Sequence, residues 1–332
     1  MTDDDVWIVV VSWNGRADTL DLLETLTPEP ATIVVVDNGS VDGTPAAVRA
    51  RYPAVVVLET HANLGYAGGN NVGVAHAIVA GARWVGVLNN DTRVHRGFLG
   101  PLLAELRRAP AATAVSPDIR YVHDPGRSWF RGGRIDAGTA SPVHLTGDEQ
   151  PAVEAGSFAT EVLSGCCVVA AAEVWRRVGP FDERMFLVFE DSDWSLRARR
   201  LGVELRVVPA ARIEHEVSAS FHGAAASLGT YYFARNGVVF AVRHLGWRAA
   251  ARFARTRVAR PVLRVAVRER RAGPVVMALL GLAAAVGGRR GKAGNRVEAV
   301  ARHHAARADP AGSSSAGRVI RRTGTTMPRP RA

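Results

Sequence analysis

Cysteine is nearly absent from this chain of 332 residues: Cys166 and Cys167 are the two cysteines, and they are adjacent. Neighbouring cysteines rarely form a disulfide with each other, and two thiolates cannot complete a structural zinc site. The surrounding sequence LSGCCVVAA is apolar, so we expect two small core residues of a protein in a reducing compartment. The composition therefore argues against folds that depend on disulfides or on a zinc site.

The N-terminal sequence lacks the features of an export signal. MTDDDVW is acidic and has neither a basic region nor an apolar one, whereas a signal peptide needs both. We therefore expect a cytoplasmic protein. With 47% hydrophobic residues, the chain can form one large α/β domain with an appendage, or two ordinary domains.

Two nucleotide-binding motifs are missing as well. A dinucleotide-binding fold needs the G-x-G-x-x-G pattern in its first strand-to-helix turn, but that turn reads SWNGRAD here, with a single glycine. Asp37 ends the second predicted strand, where a ribose-binding acid would lie, but no glycine loop accompanies it. A Walker A sequence is also absent. An NAD-dependent oxidoreductase and a P-loop NTPase are therefore both disfavoured.

What the first hundred residues do contain is a regular alternation of β-branched runs with amphipathic segments, without an internal repeat. The runs that predict strands cover residues 6–12, 32–37, 54–59 and 84–89, and a helical pattern follows each of them. Continuous apolar strands separated by helices are typical of a parallel sheet covered on both faces. The sequence therefore predicts an α/β fold with a Rossmann-like, mostly parallel sheet.

The remainder of the chain is less regular. Residues 117–160 are rich in Gly, Asp and Pro and predict loops with short strands. Further on, the patterns predict strands over 162–171 and ELRVVP, and helices over AEVWRRVG, 191–202 and about 223–245. The last 25 residues are rich in Ser, Gly, Arg and Pro, a composition that predicts a disordered tail.

Polar segments follow each of the first four predicted strands. They read SWNG, DNGS, HANLGYAGGNN and NNDT. Ligands of parallel α/β sheets bind at the carboxyl ends of the strands. We therefore expect these four segments to lie along one edge of the sheet and to form the binding site.

Asp91 in LNNDT is a candidate metal ligand, because it follows a buried strand and would project from its carboxyl end. A carboxylate there, assisted by Asn89, suits a hard divalent cation such as Mg²⁺ or Mn²⁺. The structural alternative is an Asx turn or the N-cap of the next helix. His215, after the strand ELRVVP, is a second candidate, although a lone histidine is more often a structural hydrogen-bonding group.

The segment FLVFEDSDWSLR places Glu190, Asp191 and Asp193 directly after an apolar run. Asp191 or Ser192 could cap the helix that follows, and Arg197 could pair with Asp193 at the i, i+4 spacing. One cap needs one acid, however, and Glu190 and Asp191 are consecutive. A partly desolvated carboxylate beside the sheet edge is also a competent general base, so both interpretations stand.

Positive charge is concentrated in the C-terminal part of the chain. From Arg243 onward, 21 Lys and Arg stand against 3 acids, which gives +18, so residues 1–242 carry −7 of the total of +11. Trp247 and Phe253 are the only aromatic residues of this basic part. Because basic segments that bind nucleic acid often stack bases on aromatic side chains, we do not expect a nucleic-acid partner.

Two arrangements are open for this basic part. Arginines at 257, 260, 264 and 268 share one helical face, and the apolar segment 272–288 follows them. That segment is short and rich in Ala and Gly for a spanning helix, which favours a helix lying on the inner face of the cytoplasmic membrane with its arginines at anionic headgroups. The alternative is a helical hairpin packed on the main domain.

Taken together and in this order, the motifs resemble those of family 2 inverting glycosyltransferases of the GT-A fold, and within that family the bacterial rhamnosyltransferase branch. The matching segments are VSWNG, VVDNGSVDGT, NLGYAGGNN, LNNDTRV, LSGCCVVAAAEVWRRVGPFDERMFLVFEDSDWSLRARRLG and RIEHEVSAS. They extend from residue 6 to about residue 240. The resemblance implies an enzyme that moves a sugar, most of all L-rhamnose from dTDP-L-rhamnose, onto a hydroxyl of a glycan or lipid-linked acceptor.

The alternatives to this function are a UDP-hexose donor, a soluble natural-product acceptor and, more remotely, a non-catalytic binding protein. The resemblance also implies a division of the chain. It gives a catalytic domain over 1–242 with a nucleotide-binding half (1–116) and an acceptor half (117–242), then a basic helical extension (243–307) and a disordered tail (308–332).

The donor site that the resemblance implies draws on the strand-end segments. Its residues are Ser12, Asn14, Asp37, Asn38, Ser40, Asn63, Gly65, Gly68, Gly69, Asn70, Asn89 and Asn90. Asp37 would accept a hydrogen bond from the base or ribose, and the glycines would let the backbone approach the nucleotide. Asn89 stands where the family has the first acid of its metal motif, so Asp91 would supply the charged ligand for Mg²⁺ or Mn²⁺. His215 matches the late histidine of the family near the diphosphate.

The general base of the family falls on Asp191. It would deprotonate an acceptor hydroxyl for in-line attack that inverts the anomeric carbon, while the cation neutralises the leaving diphosphate. Glu190 would assist in the catalytic site by orienting the acceptor or neighbouring arginines. Phe189, Asp193 and Trp194 are the candidate acceptor contacts.

Overall fold

The computed structural model describes residues 5–108, 112–145, 149, 152–153, 156–216, 224–269 and 272–308. Its strands are β1 Val6–Ser12, β2 Thr32–Asp37, β3 Val56–Glu59, β4 Trp84–Asn89, β5 Thr92–Val94, β6 Thr113–Tyr121, β7 Asp124–Phe130, β8 Gly133–Asp136, β9 Ser141–His144, β10 Phe158–Ala159, β11 Cys167–Ala171 and β12 Glu204–His215. Its helices are α1 Arg16–Leu26, α2 Thr44–Arg51, α3 Gly65–Val79, α4 Leu99–Arg108, α5 Ala172–Val178, α6 Glu190–Arg200, α7 Ala224–Leu245, α8 Trp247–Phe253, α9 Arg260–Glu269, α10 Gly273–Val286 and α11 Asn295–Ala308. A π-helical segment, Ala254–Ala259, joins α8 to α9.

A mixed sheet forms the centre of the molecule. Its main path runs in the order β10-β12-β6-β11-β4-β1-β2-β3, with β5 paired to β12 and β7 paired to β6. Strands β1 to β4 are parallel where they pair, whereas β11 runs antiparallel to both β4 and β6. The pair β8–β9 forms a separate hairpin. This confirms the predicted α/β fold with a mostly parallel sheet.

The parallel strands are buried because their residues are apolar on both faces. Val9 pairs with Val34 on one side and with Val87 on the other, and all three are buried. Cys166 and Cys167 are also buried, as free thiols, as the apolar context predicts. Helix α3 lies against β1 at close range, since a Cβ atom at Gly69 would come within 2.8 Å of Val11.

Strand register places the carboxyl ends of these strands together. Ser12 lies beside Asp37, and Val11 lies beside Asn89. Asp37 in turn pairs with Glu59 at the end of β3. The polar segments after the four strands therefore begin along one edge of the sheet, as expected.

Two elements differ from the sequence prediction. The helical pattern GGNNVGVAHAIVAG after the third strand predicts a helix from Gly68, but α3 begins three residues earlier, at Gly65. Strand β12 was predicted to end with ELRVVP, but it continues to His215. Pairing explains the extension, since β12 bonds to β6 on both sides of an irregularity between Val208 and Arg212 and then to β5.

The C-terminal helices pack on the preceding part of the chain. Buried residues of α10, including Met277, Gly281 and Ala284, face α7, and Met277 and Ala284 share a cluster with Phe186. For α10, this packing agrees with the hairpin alternative. In the part of the chain that the structure describes, no helix is both long and apolar enough to span a bilayer. The predicted boundary at 242/243 falls inside α7, and the predicted disordered tail lies outside the described residues after Ala308.

Candidate active site

The loops after β1 and β2 are fastened to each other by Asn14. Its backbone N–H donates to Ser40 Oγ (2.9 Å), and its side-chain Oδ1 accepts from the Val41 N–H (2.9 Å). Asp37 at the end of β2 accepts from the Ser40 N–H through Oδ2 (3.1 Å), while its buried Oδ1 has no hydrogen-bond partner among the described residues. A buried carboxylate oxygen without a partner suits a ligand hydroxyl or base N–H.

Asn38 fixes the start of α3. Its Nδ2 donates to the Gly65 carbonyl (3.0 Å), and its Oδ1 accepts from the Leu64 N–H (3.0 Å). Asn63 accepts from the Gly65 N–H (2.8 Å). Gly65 has a φ of +78°, and a Cβ atom there would overlap the Phe186 carbonyl, so this position requires glycine.

A cavity of about 430 Å³, the strand-end cavity, lies in front of these loops. Of the predicted donor residues, four contribute to its lining: Asn38, Asn63, Gly65 and Asn90. Ser12 is buried behind it and accepts a hydrogen bond from Thr19 (2.8 Å).

Gly68, Gly69 and Asn70 do not lie in a nucleotide loop. All three are buried inside α3, where Asn70 donates to the Tyr66 carbonyl (2.9 Å). The glycines allow close packing of the helix, Gly69 against Val11 of the sheet. The structure thus places these three residues in the packing of α3 on the sheet.

The predicted metal ligands come together at the end of β4. His215 Nε2 lies 3.1 Å from Asp91 Oδ1 and 3.5 Å from Asn89 Nδ2, and both Asp91 and His215 are buried. Asn89 Oδ1 and His215 Nδ1 are buried without hydrogen-bond partners in the described structure. Amide oxygens and imidazole nitrogens of this kind are ligands that divalent cations accept.

Two aromatic residues complete this corner. The ring of Trp129 packs edge-on against His215, with centroids 4.6 Å apart, and against His144 at 4.7 Å. Burial lowers the pKa of His144, while the hydrogen bond from its Nδ1 to the Trp129 carbonyl (2.8 Å) acts in the opposite direction. Trp129 therefore contacts both His144 and His215. Sequence reasoning missed Trp129 and His144, because they fall in the irregular segment 117–160.

Asp191 is not the N-cap of α6. Phe189 has that position, and no side-chain hydrogen bond caps the helix. Its Oδ2 accepts from the Gly165 N–H (2.8 Å) and its Oδ1 from the Ser192 N–H (2.6 Å). Asp191 is half-buried, so its carboxylate is fixed in orientation and still reachable. The adjacent Cys166 carbonyl accepts from the Asn89 N–H (2.9 Å), and this short segment therefore connects the base to the cation corner.

Glu190 has different surroundings from its neighbour. It is buried, and its Oε2 has no hydrogen-bond partner among the described residues. Burial, followed by the charge of Asp191, raises the pKa of Glu190 to about 8. Glu190 is therefore mostly protonated at neutral pH, whereas Asp191 is the acid that an acceptor can reach.

The turn before these acids is strained. Phe186, Val188 and Phe189 all have positive φ values, between 61° and 75°, which cost non-glycine residues of order 1 kcal/mol or more each. Buried Asn236 of α7 stabilises the turn by donating to the carbonyls of Met185 (2.7 Å) and Leu187 (2.8 Å). No local pattern in the sequence indicated this role of Asn236.

The three residues predicted as acceptor contacts are all buried. Phe189 packs among the aromatic rings of α7 and α8. Trp194 lies near Trp175 (4.7 Å between ring centroids) and donates to the Gly179 carbonyl. Asp193 forms the predicted pair with Arg197 (2.9 Å).

Asp193 is the centre of a buried ion network. It also contacts Arg243 (2.7 Å) and His244 (2.8 Å) at the end of α7. Burial alone would raise the pKa of Asp193, but the hydrogen bonds from His244 and Arg243 and the charge of Arg197 outweigh it and hold this pKa well below its usual range. The network joins α6 to α7 and thereby supports the acids at the start of α6.

The C-terminal helices supply part of the cavity wall. Tyr232 of α7 and Lys292, Glu298 and Arg302 from the last described segment line the same cavity as Asn38 and Asn63. Sequence reasoning treated this segment only as a basic extension. Its charge was visible, but nothing in the pattern indicated that it folds back over the strand ends.

Comparison with known proteins gives a consistent result. The family model described as "Glycosyl transferase family 2" matches residues 7–154, and "Glycosyl transferase family group 2" matches residues 84–226. An N-acetylglucosaminyl-diphospho-decaprenol L-rhamnosyltransferase of Mycobacterium tuberculosis is 35% identical over 249 residues, which cover 68% of this chain and 79% of the relative. A dTDP-rhamnosyl transferase of Shigella flexneri is 22% identical over 213 residues, which cover 64% of this chain and 69% of the relative.

A solved structure supports the fold. It is a mannosyltransferase from Pyrobaculum calidifontis in complex with GDP-Man and Mn²⁺, with a TM-score of 0.55 and 17% sequence identity. The match covers 94% of this chain and 89% of that protein. At this identity the likeness concerns the fold alone.

Proposed function

The chain belongs to glycosyltransferase family 2, with a GT-A-like fold, and we propose that it transfers L-rhamnose from dTDP-L-rhamnose to a hydroxyl of a lipid-linked glycan. The names of two relatives, an L-rhamnosyltransferase acting with a diphospho-decaprenol compound and a dTDP-rhamnosyl transferase, support this donor and this class of acceptor.

The observation that carries the mechanism is the fixed, half-buried carboxylate of Asp191. Hydrogen bonds from Gly165 and Ser192 orient it. Next to Gly165, the Cys166 carbonyl accepts from the N–H of Asn89 (2.9 Å), whose side chain lies 3.5 Å from His215. Asp191 takes the proton of the acceptor hydroxyl as that oxygen attacks the anomeric carbon from the face opposite the nucleotide, so the sugar inverts. Protonated Glu190 behind it adds no second negative charge near the attacking oxygen.

The donor occupies the strand-end cavity in this proposal. Asp37 offers its unpartnered Oδ1 to the base or ribose, while Asn38 and Asn63 hold the loop that borders the nucleotide. Asp91, His215 and Asn89 are the residues that would hold a Mg²⁺ or Mn²⁺ ion. When bound, such a cation neutralises charge on the leaving dTDP.

Donor screening tests the proposal. The purified protein is incubated with UDP-, dTDP- and GDP-sugars and a short-chain lipid-linked N-acetylglucosaminyl diphosphate, and product masses are measured. We expect a mass increase of one deoxyhexose from dTDP-L-rhamnose. A preference for a UDP-hexose would contradict the proposed donor, and no transfer from any donor would contradict the proposed activity.

We also propose that the protein works at the inner face of the cytoplasmic membrane. Trp247, Leu263 and Val267 are 77%, 65% and 72% exposed, and they share the basic C-terminal helices with arginines such as Arg260 and Arg264. Exposed apolar side chains among arginines suit an anionic bilayer surface. Such a position would bring the cavity near a lipid-linked acceptor.

A further inference from the structure

A second cavity, of about 400 Å³, adjoins the strand-end cavity through the shared residue Lys292. Its wall contains three further cations, Arg289, Arg290 and Arg296, and one aromatic ring, Tyr231. We propose that this basic cavity binds the diphosphate that joins the sugar of the acceptor to its lipid. This assignment rests on the proposed function, which supplies the lipid-linked acceptor.

Of the four cations, Lys292 alone has an acidic partner among the described residues. Among the described residues, the one ion pair in this group joins Lys292 to Glu298 at the long distance of 3.8 Å, and no described carboxylate pairs with Arg289, Arg290 or Arg296. Like charges gathered around one cavity repel one another, and an anion between them relieves that repulsion. A diphosphate offers several acceptor oxygens for such charge-assisted hydrogen bonds.

Helix stability does not explain the position of Arg296. It is the second residue of α11, and the positive end of the helix dipole disfavours a cation in the first turn. The same dipole favours an anion there. Arg296 is thus in an unfavourable place for the helix alone and in a favourable one beside a bound diphosphate.

The loop that carries these cations is fixed to the catalytic domain. Fully buried Arg235 donates to the Gly291 carbonyl (2.7 Å) and to the Met185 carbonyl (2.9 Å). The Gly291 N–H donates to the Arg184 carbonyl (2.6 Å), and the Ala293 N–H donates to the Tyr232 hydroxyl (2.8 Å). Residues 184–185 lead directly into the strained turn and the acids of α6, so an anion in this loop has a defined position relative to Asp191.

The donor diphosphate has its own proposed place beside Asp91 and His215. None of the strand-end residues of β1 to β4 lines the basic cavity; its described lining comes from α7 and residues 289–297. The cavity is therefore assigned to the other substrate. Two anion sites in one enzyme match a reaction in which both substrates carry a diphosphate.

The test compares the double variant Arg290→Gln/Arg296→Gln with the control Arg252→Gln. Both arginines are exposed, and the Arg290 side chain donates to the carbonyl of its neighbour Arg289 (2.9 Å), so the fold is expected to survive their loss. Arg252 is an exposed arginine of α8 that lines neither cavity. Binding is measured by calorimetry with a short-chain alkyl N-acetylglucosaminyl diphosphate, with the matching alkyl N-acetylglucosaminide that lacks the diphosphate, with dTDP, and with phosphatidylglycerol vesicles.

We expect the double variant to bind the diphosphate probe at least about ten-fold more weakly, while the dTDP dissociation constant changes by less than about two-fold. The control should bind the diphosphate probe as the wild type does. Weakened dTDP binding would assign the cations to the donor, and weakened vesicle binding with unchanged probe binding would assign them to phospholipid headgroups; either result overturns the proposal. So does an equal loss of affinity for the probe without a diphosphate.

Binding and transfer are scored separately. In one outcome, the wild type binds the diphosphate probe more tightly than the double variant does but transfers no rhamnose. That outcome would support this site and contradict the proposed donor. Rhamnose transfer by the wild type together with normal probe binding by the double variant would do the opposite.

Discussion

Two neighbouring acids, Glu190 and Asp191, illustrate how position decides chemistry at the scale of single residues. Asp191 faces the Gly165 loop and is half-buried, whereas Glu190 points into the protein and has no partner for its Oε2. Burial penalises the charged form of a carboxyl group unless hydrogen bonds stabilise it. The two acids are therefore expected to respond differently to the same isosteric change.

Replacing Asp191 by Asn should reduce turnover by roughly 10² or more, because the amide keeps the shape but cannot accept the acceptor proton. The dTDP dissociation constant should stay within about two-fold, since Asp191 does not line the donor cavity. Steady-state kinetics and calorimetry measure the two quantities. Near-normal turnover would rule out Asp191 as the base, and loss of dTDP binding would indicate a structural role.

The raised pKa of Glu190 predicts that the stability of the protein depends on pH. Its pKa is raised from 4.5 to about 8 in the folded protein, so the folded state holds this proton more tightly than the unfolded chain does. The stability that this bound proton gives is fully present below about pH 4.5 and is lost as the pH rises towards 8. The free energy of unfolding then falls by at most roughly 1.4 kcal/mol per pH unit.

Urea denaturation at pH 5.5, 6.5 and 7.5 measures this effect. The free energy of unfolding of the wild type should fall with rising pH relative to that of Glu190→Gln, which cannot ionise. Parallel pH profiles for the two proteins would show that Glu190 does not hold its proton in this way.

Asp91 predicts a dependence on divalent cations. EDTA should abolish transfer and Mn²⁺ or Mg²⁺ should restore it, while Asp91→Ala should lose activity that added cation does not recover. Asp91→Ala removes the carboxylate beside His215, so Mn²⁺ binding measured by calorimetry should weaken in parallel. Full transfer in chelator would contradict the assignment.

Single residues were predictable from the sequence where the chemistry is local. Asp91 and His215 stand at strand ends, and the structure brings them within 3.1 Å of each other. The burial of Asp193 was not predictable, because its partners Arg243 and His244 lie about 50 residues away. A sequence pattern shows that acids are present, but it does not show which distant helix covers them.

At the scale of elements, the contact between α7 and α10 depends on a glycine. A Cβ atom at Gly281 would overlap the Tyr231 carbonyl and lie 2.9 Å from Ala234. Helices that approach this closely need small residues at the contact. Because Tyr231 and Tyr232 border the two cavities, this contact supports the substrate sites as well as the fold.

Gly281→Ala should therefore destabilise the protein by roughly 1–3 kcal/mol through overpacking. The matched control is Gly100→Ala in α4, where a Cβ atom would meet nothing within 4 Å; there alanine should be neutral or stabilising by up to about 1 kcal/mol. Chemical denaturation of both variants measures the difference. Equal stability of the two variants would show that α10 can shift away from α7 without cost.

Elements of the sheet were predictable because a β-branched run has few alternatives. Strands β1, β2 and β4 have the predicted bounds. The helix α3 was predicted three residues too late, because a glycine with a positive φ, such as Gly65, is typical of a turn, whereas here it starts the helix. The apolar segment of α10 was ambiguous for a different reason: a helix of this composition can cover a bilayer surface or another helix, and only its contacts distinguish the two.

At the scale of the whole molecule, membrane docking can be tested on a folded protein. Deleting residues 247–332 would also remove Lys292, Glu298 and Arg302 from the donor cavity, so point variants are preferable. Leu263→Ser/Val267→Ser should reduce flotation with phosphatidylglycerol liposomes, because these side chains are exposed on basic helix α9.

The matched control for flotation is Val79→Ser, which changes another exposed valine (88%) at the end of α3. Flotation of the wild type should also weaken at high salt, since arginine contacts with anionic headgroups are screened. No flotation of the wild type, or equal flotation of the double variant, would contradict docking through α9.

The strand-end cavity joins residues from both ends of the described chain. Val11 and Arg302 line it, and they are about 290 positions apart in the sequence. During synthesis the N-terminal domain leaves the ribosome first and can begin to fold. Its strand ends then face water on the side that the C-terminal helices will cover. A nascent chain at that stage has the base, the cation ligands and the nucleotide loops, but it lacks a wall of the site. The protein is therefore expected to bind a ligand in this cavity only after translation has passed Arg302.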